Sequence, residues 1–289
     1  MDANVLNGFL KDENNLEGWF YHQDMLYLAI LNDIHSKNQV KGHIVEIGVY
    51  KGKSLSFLSH FIKDIETLYG YDTFPNNYYE STKLALENYG ANVQYELIKA
   101  DTSKLNNDDI KAKMNGKGIR ILHIDAGHEY HEVFHSILSF SPYVIDAGII
   151  VMDDYQDREF PGIEAAVLDF CEIDRPRRFV PFLSGQNKIY LCNKYMANIY
   201  QQFLLTSEDL RNTSRLTVVR DFAIIKGFSK IPTSFEEINQ QLNQFYELGK
   251  NDSIYDNQKL YQLQKQAIKY SKLCSNDYDI MNKKRSENS

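Results

Sequence analysis

His43-Ile-Val-Glu-Ile-Gly-Val-Tyr-Lys-Gly-Lys-Ser54 is the stretch that decides the predicted fold of this chain. An apolar run ends at Gly48, and Gly52 stands directly before a helical pattern that begins at Ser54. This order predicts a strand, a glycine turn and a helix. Such a turn presents backbone N–H groups and a helix N-terminus to a ligand, because glycine has no Cβ that would keep the ligand away.

The spacing of the two glycines disfavours a dinucleotide as the ligand. The segment reads Glu46-x-Gly48-x-x-x-Gly52, whereas a dinucleotide-binding turn has the pattern Gly-x-Gly-x-x-Gly. An NAD(P) or nucleotide-sugar enzyme therefore stays open as the weaker alternative.

Strand and helix patterns alternate on both sides of this turn. Strands are predicted at 67–71, 93–98, 119–124 and 149–151, with a closing hairpin of 178–183 and 189–192, and helices at 25–34, 55–62, 78–88, 130–137 and 163–170. This alternation indicates the α/β class with a buried, mainly parallel sheet. Beyond residue 194 we expect helices over 196–211, 234–249 and 257–273 and one extra strand over 217–225.

Composition limits the classes of partner and compartment. The chain has 289 residues, 32 basic against 39 acidic, and a net charge of −7, which disfavours nucleic acid and anionic membranes as partners. Three widely spaced cysteines, Cys171, Cys192 and Cys274, predict neither a disulfide framework nor a zinc site. With no signal-like N-terminus and no apolar run approaching ~18 residues, we expect a cytoplasmic protein.

Carboxylates follow two neighbouring strands of the predicted sheet. Asp125 comes directly after the fourth strand, and Asp153 and Asp154 come directly after the fifth. Because ligands bind at the carboxyl ends of parallel strands, these side chains should converge there and repel one another unless a cation lies among them. Oxygen ligands favour Mg²⁺. The alternative is that the Asp-Asp pair caps a helix or solvates a loop.

Three later motifs, together with the glycine segment, resemble the motifs of a known protein family. These are Tyr71-Asp72-Thr73-Phe74, the run His123-Ile-Asp-Ala-Gly-His-Glu-Tyr130, and Val151-Met-Asp-Asp-Tyr155 continuing to Pro161-Gly162. Over about residues 40–192 the chain resembles class I S-adenosylmethionine (SAM) dependent methyltransferases, particularly the macrolide-sugar and aminocoumarin-sugar O-methyltransferases and cephalosporin-cluster methyltransferase-like proteins. The resemblance implies a Rossmann-like, doubly wound, mostly parallel seven-stranded sheet with an antiparallel last strand, an N-terminal helix and a helical C-terminal extension.

The same resemblance implies which residues hold the ligands. The metal ligands would be Asp125, Asp153 and Asp154, and the SAM contacts would be Glu46, Gly48, Tyr50, Gly52, Ser54, Asp72, Thr73, Asp101, Thr102 and Asp125. Asp72 lies 24 residues after Gly48, close to the ~20 positions at which an acidic residue binds ribose hydroxyls. Asp101 has an alternative role as a helix cap.

One departure from the family concerns the general base. The related sugar methyltransferases carry Asp-Gly-Asp after the fourth strand, whereas this chain has Asp125-Ala126-Gly127. His128, which titrates near neutrality as histidines do, is the replacement candidate, so His128 and Asp125 are the predicted catalytic residues. A structural histidine is the alternative for His128. Four of the eight histidines lie between 123 and 135. A histidine-lined site for a borderline metal is therefore an alternative, which we rank below Mg²⁺.

These observations lead to one predicted organisation and function. Residues 1–40 are predicted to form an N-terminal arm (1–20) followed by a helix, and residues 41–193 to form the SAM-binding core. Residues 194–289 are predicted to form a mainly helical lid or homo-oligomer interface, with a frayed tail from about 275. We expect a Mg²⁺-assisted, SAM-dependent O-methyltransferase that acts on a sugar, a glycan precursor or a small natural product. The rival from another class is an inactive SAM-fold module for binding or assembly.

Overall fold

A computed structural model describes residues 1–11, 15–63, 65–173, 178–228, 231 and 234–251 of the chain. The predicted helix over 257–273 and the predicted frayed tail lie outside these residues. The chain divides into two compact units, Met1–Tyr200 and Gln201–Ser289.

The first unit holds the predicted alternation of strands and helices. Its helices are α1 (Ala3–Leu10), α2 (His22–Lys37), α3 (Lys53–Ser59), α4 (Tyr78–Tyr89), α5 (Asn107–Met114), α6 (Tyr130–Phe140), α7 (Pro161–Ile173) and most of α8 (Lys194–Thr206). Its strands are β1 (His43–Ile47), β2 (Leu68–Asp72), β3 (Tyr95–Lys99), β4 (Ile119–Ile124), β5 (Val144–Met152), β6 (Phe179–Ser184) and β7 (Ile189–Asn193).

These seven strands are hydrogen-bonded in the order β3-β2-β1-β4-β5-β7-β6. The pairs from β3 to β5 are parallel, and β7 is antiparallel to both β5 and β6. Every residue of β1 and β4 is buried, as expected of parallel strands that are covered on both faces. The strand order reverses between β1 and β4, and ligands of doubly wound sheets bind at the carboxyl ends of the strands beside such a reversal.

The second unit has more strands than the sequence indicated. It contains α9 (Glu208–Asn212), the antiparallel pair β8 (Ser214–Val219) and β9 (Phe222–Gly227), and α10 (Phe235–Asn251). The single strand predicted over 217–225 was wrong, because Arg220, with a φ of 51°, turns the chain in its middle. The described residues therefore contain nine strands, not seven, and more than one antiparallel pairing. The helix predicted over 196–211 is also interrupted, since the Ser207 side chain caps α9.

The N-terminal segment is more ordered than the predicted loose arm. The Asp2 side chain caps α1 through the backbone N–H of Asn4, and α1 buries Leu6 and Phe9. The Phe9 ring packs edge-on against Phe57 of α3 at 5.3 Å. The predicted helix over 25–34 is confirmed as α2, which is buried along most of its length. None of the described helices is long and apolar enough to cross a membrane.

Candidate active site

The glycine turn after β1 holds three strand ends together. Gly48 has a φ of 84°, and its N–H donates to the carbonyl oxygen of Tyr71 at 2.8 Å. The N–H of Asp125 donates to the carbonyl of Ile47 at 2.7 Å, so the end of β4 crosses directly over the turn. A Cβ on Gly48 would collide with the Asp125 carbonyl oxygen. Glycine is therefore required here by the protein backbone itself.

Asp72 at the end of β2 fixes the shape of this turn. Its carboxylate accepts the backbone N–H groups of Val49 at 2.8 Å, Tyr50 at 2.9 Å and Phe74 at 2.6 Å. Tyr50 and Phe74 have positive φ values of 52° and 46°, a conformation that costs energy for residues other than glycine and often marks functional sites. Three hydrogen bonds to one carboxylate stabilise this strained loop.

A cleft of about 840 Å³ opens over the turn, within the usual size of small-molecule sites. Most of the predicted site residues line it, namely Gly48, Tyr50, Ser54, Asp72, Thr73, Asp101, Thr102, Asp125, His128, Asp153 and Asp154. Two predicted cofactor residues do not line it. Glu46 is fully buried and pairs with His123, and Gly52 packs against Thr82 of α4.

Asp101 has the capping role that was its alternative. Its Oδ1 accepts the backbone N–H of Ser103 at 3.1 Å and the Ser103 hydroxyl at 2.6 Å. Lys104 forms an ion pair with its other oxygen. These bonds to Lys104 and Ser103 lower the pKa of Asp101 to about 2. Asp101 nevertheless lines the cleft, so capping and ligand contact are compatible.

Aromatic side chains line the mouth of the cleft, and of those named here Tyr50 alone was a predicted site residue. Trp19 is 81% exposed, and its ring lies 6.0 Å from that of Tyr50, which contacts Tyr78 edge-on at 4.8 Å. Tyr21 and Phe160 also line the cleft. Exposed rings beside a cavity offer flat apolar faces for a ligand. The only signal in the sequence was the high aromatic content.

Two of the three predicted metal ligands lie together. Asp125 and Asp153, with His123, each offer a ligand atom within 4.8 Å of the others. The third predicted ligand, Asp154, is outside this group. Its Oδ2 lies 3.3 Å from Nε2 of His128, and its Oδ1 accepts from the Asn187 amide at 3.5 Å.

A buried lysine from the β6–β7 hairpin is the main element that sequence reasoning missed. Lys188 is 1% exposed, forms an ion pair with Asp153 Oδ2, and lies over the ring of Phe20 at 5.2 Å. Asp24 of α2 interacts with the same ammonium and accepts the Tyr190 hydroxyl at 2.8 Å. A lysine is almost never fully buried without a partner, so its place beside the apolar β7 was the available signal.

The site contains several carboxyl groups around the single ammonium group of Lys188. Burial and the neighbouring Asp153 raise the pKa of Asp125 well above its usual range, and burial and Asp153 also raise the pKa of Asp154. Burial opposes ionisation of Asp153, but Lys188, His123 and the hydrogen bond with Asp125 together outweigh it and lower the pKa of Asp153. Burial likewise raises the pKa of Asp24 to about 6 despite Lys188. One ammonium therefore faces four carboxyl groups.

This surplus of carboxyl groups over ammonium groups is the first observation that fits a divalent cation, because a cation would favour their ionised forms. The second is a pair of buried atoms without a hydrogen-bond partner in the described part of the chain, Nε2 of His123 and Oδ1 of Asn187. Buried polar atoms are normally satisfied. The donor set at this edge of the sheet therefore fits a metal ion.

His128 and Glu132 are two further titratable side chains that line the cleft. The exposed His128 ring stacks on Phe160 at 4.0 Å and 15°, and its Nε2 faces Asp154. Gly127 has a φ of 69°, and a Cβ at this position would lie 2.6 Å from Glu132 Oε2. The carboxylate of Glu132 thus lies beside the position where the resembling enzymes carry aspartate, and it also lines the cleft. The sequence analysis missed it.

Comparisons with known proteins agree with this geometry. A family model described as a methyltransferase domain matches residues 45–155. An uncharacterized protein of Acanthamoeba polyphaga mimivirus is 31% identical over 168 residues, covering 54% of this chain and 70% of that protein.

Two solved structures are similar over 66% of the chain. One is the O-methyltransferase NovP, at 15% identity, 97% of that chain and a TM-score of 0.50, a likeness that shows the fold. The other is a TDP-rhamnose 3'-O-methyltransferase of calicheamicin biosynthesis, at 19% identity, 92% of that chain and a TM-score of 0.48. With the domain match and the strand order in agreement, the chain belongs to the class I SAM-dependent methyltransferases.

Proposed function

We propose that this protein transfers the methyl group of SAM to a hydroxyl group of a sugar, a glycan precursor or another small natural product, with the help of a divalent cation. The observation that carries the proposal is a single cleft that joins the glycine turn and Asp72 to Asp125, Asp153 and His128. Such a cleft brings a methyl donor and an acceptor oxygen together, and positioning of this kind can supply about 7–11 kcal/mol of a reaction barrier.

The cofactor end is the part of the cleft around the turn. Asp72 uses its carboxylate to hold three backbone N–H groups, but an ionised carboxylate has about four lone-pair sites. The fourth site is approached by the Thr73 hydroxyl at 3.5 Å, a long contact that a ribose hydroxyl would replace. The Gly48 turn, Tyr50, Ser54 and Thr73 would contact the remainder of SAM. Asp101 and Thr102, at the end of β3, would lie beside the adenine.

The acceptor end is the part around the strand-end carboxylates. Asp125 and Asp153 would hold Mg²⁺ or a similar cation, and Asp154 lies next to them. A bound cation would lower the pKa of the acceptor hydroxyl. His128, held by Phe160 and Asp154, would accept the hydroxyl proton, and Glu132 is the alternative acceptor. The choice of oxygen as the methylated atom rests on these carboxylates and not on the comparisons.

Incubation with methyl-labelled SAM and a panel of glycosides and phenols tests the proposal. The expected product is an ether, which keeps its label in mild alkali, and EDTA should remove the activity. Label released by alkali would indicate a methyl ester instead. If S-adenosylhomocysteine binds but no hydroxylated acceptor is labelled, the alternative of an inactive SAM-fold binding module is favoured. The domain limits, cytoplasmic location and self-association through residues 194–289 stay predictions.

A further inference from the structure

The strand register brings one imidazole to the two clustered carboxylates. His123 and Asp125 are two residues apart at the end of β4, and side chains two residues apart in a strand share a face. Asp153 follows β5, and its N–H donates to the carbonyl of Ile124 at 2.9 Å, so Asp153 lies next to Asp125. The three ligand atoms lie within 4.8 Å of one another.

Among the described residues, His123 has a hydrogen-bond partner on one ring nitrogen. Its Nδ1 lies 2.7 Å from Oε1 of Glu46, and both side chains are essentially buried, at 1% and 0% exposure. Its Nε2 is buried and has no partner in the described part of the chain. A metal-bound histidine typically donates its other ring N–H to a carboxylate, which fixes the tautomer and the direction of the free nitrogen. The Glu46–His123 pair has this arrangement.

We propose that the divalent cation of this site is bound by one nitrogen of His123 together with Asp125 and Asp153, with Glu46 as the residue that positions the imidazole. The inference rests on the proposed function, and it replaces the predicted ligand Asp154 with a nitrogen donor. Imidazole combined with carboxylates suits Mn²⁺, Fe²⁺, Co²⁺ or Zn²⁺ better than Mg²⁺, which prefers oxygen ligands alone.

The surroundings of Asp153 are compatible with this centre. Lys188 contacts Oδ2, and Oδ1 accepts from the backbone of Asp154 at 2.8 Å and from the Asn187 amide at 2.7 Å. These three contacts orient the carboxylate and leave about one of its four lone-pair sites, on Oδ2, for a cation. Asp154 has its carboxylate beside His128, which is why it is the comparison residue in the test.

Pulsed electron paramagnetic resonance of bound Mn²⁺ tests the ligand set without any catalytic readout. The full-length protein is stripped with EDTA, saturated with S-adenosylhomocysteine and loaded with one equivalent of Mn²⁺. Directly coordinated imidazole should give ¹⁴N modulation in the wild type and in the control variant His131→Gln, whose side chain is exposed. The modulation should disappear in His123→Gln. Glu46→Gln should weaken Mn²⁺ binding by about 10–100-fold, the usual effect of losing such a partner.

Three results would overturn the inference: Mn²⁺ bound without nitrogen modulation, no Mn²⁺ bound, or binding abolished by Asp154→Asn but unchanged in His123→Gln. If His123→Gln does not fold, His128→Gln decides the point, because loss of the modulation there would assign the nitrogen to His128. Calorimetry with S-adenosylhomocysteine on the same samples separates this test from the proposed function. Failure of cofactor binding would count against the function, whereas a missing nitrogen signal with normal cofactor binding counts only against His123.

Discussion

Replacing Lys188 with methionine tests how the buried charges of the site are balanced. Methionine has a similar length and no charge, so Lys188→Met removes the ammonium and keeps most of the apolar contact with Phe20. The change leaves Asp153 and Asp24 buried without their cation. Both carboxylates would then have to take up protons or admit water.

The size of the effect follows from the burial of the pair. Lys188 and Asp153 are 1% and 6% exposed, and removal of one partner from a buried ion pair costs about 3–5 kcal/mol. Uptake of a proton by Asp153 would offset part of this loss. A folded chain has about 5–15 kcal/mol of stability in total, so Lys188→Met should lower the urea midpoint strongly and still leave a measurable folded state.

Urea unfolding of four proteins provides the measurement. These are the wild type, Lys188→Met, Lys188→Met combined with Asp153→Asn, and the control Lys83→Met on the exposed face of α4. The double variant should recover part of the loss because no unpaired charge remains at that pair, and the control should stay within about 0.5 kcal/mol. A loss below about 1 kcal/mol in Lys188→Met, or no recovery in the double variant, would refute the reasoning.

Three further variants probe other parts of the site. Burial raises the pKa of Asp24 from 3.8 to about 6, so its contribution to stability is complete below about pH 4 and is lost as the pH rises through about 6. Urea unfolding should show a fall of about 3 kcal/mol over that window that is absent in Asp24→Asn, and equal pH profiles would contradict this. His128→Ala should lower kcat about 10²–10⁴-fold with unchanged affinity for S-adenosylhomocysteine. Glu132→Gln should lower kcat by less than about tenfold. If Glu132→Gln has the larger effect, Glu132 is the base. Gly48→Ala should destabilise far more than Gly116→Ala, because both positions have positive φ but a Cβ meets backbone only at Gly48; similar losses would show that strain alone sets the cost.

The core of the fold was predictable because its signals are local. The strand β4 coincides with the predicted 119–124, and the β6–β7 hairpin follows from two apolar runs around Ser184-Gly185-Gln186-Asn187. The meeting of Asp125 and Asp153 also follows from local rules, since both end neighbouring parallel strands. The break between β8 and β9 was missed because Asp221 is the one turn-forming residue of the Arg220-Asp221 pair, and the positive φ falls on Arg220, which gives no such signal.

The missed parts of the site depend on contacts between distant segments. Lys188 is placed by Asp24, which is 164 residues earlier in the sequence, and no local pattern connects them. Glu46 and His123 meet because β1 and β4 pair in the register that sets Glu46 opposite His123. A glycine motif alone suggests that Glu46 faces the cofactor, but the register gives it a buried partner instead.

Calorimetric titration with S-adenosylhomocysteine, with NAD as the comparison ligand, is the most direct test of the central claim that the cleft over Gly48 binds SAM. The expected result is one S-adenosylhomocysteine bound per chain and no heat from NAD. Binding of NAD with no binding of S-adenosylhomocysteine would contradict the claim.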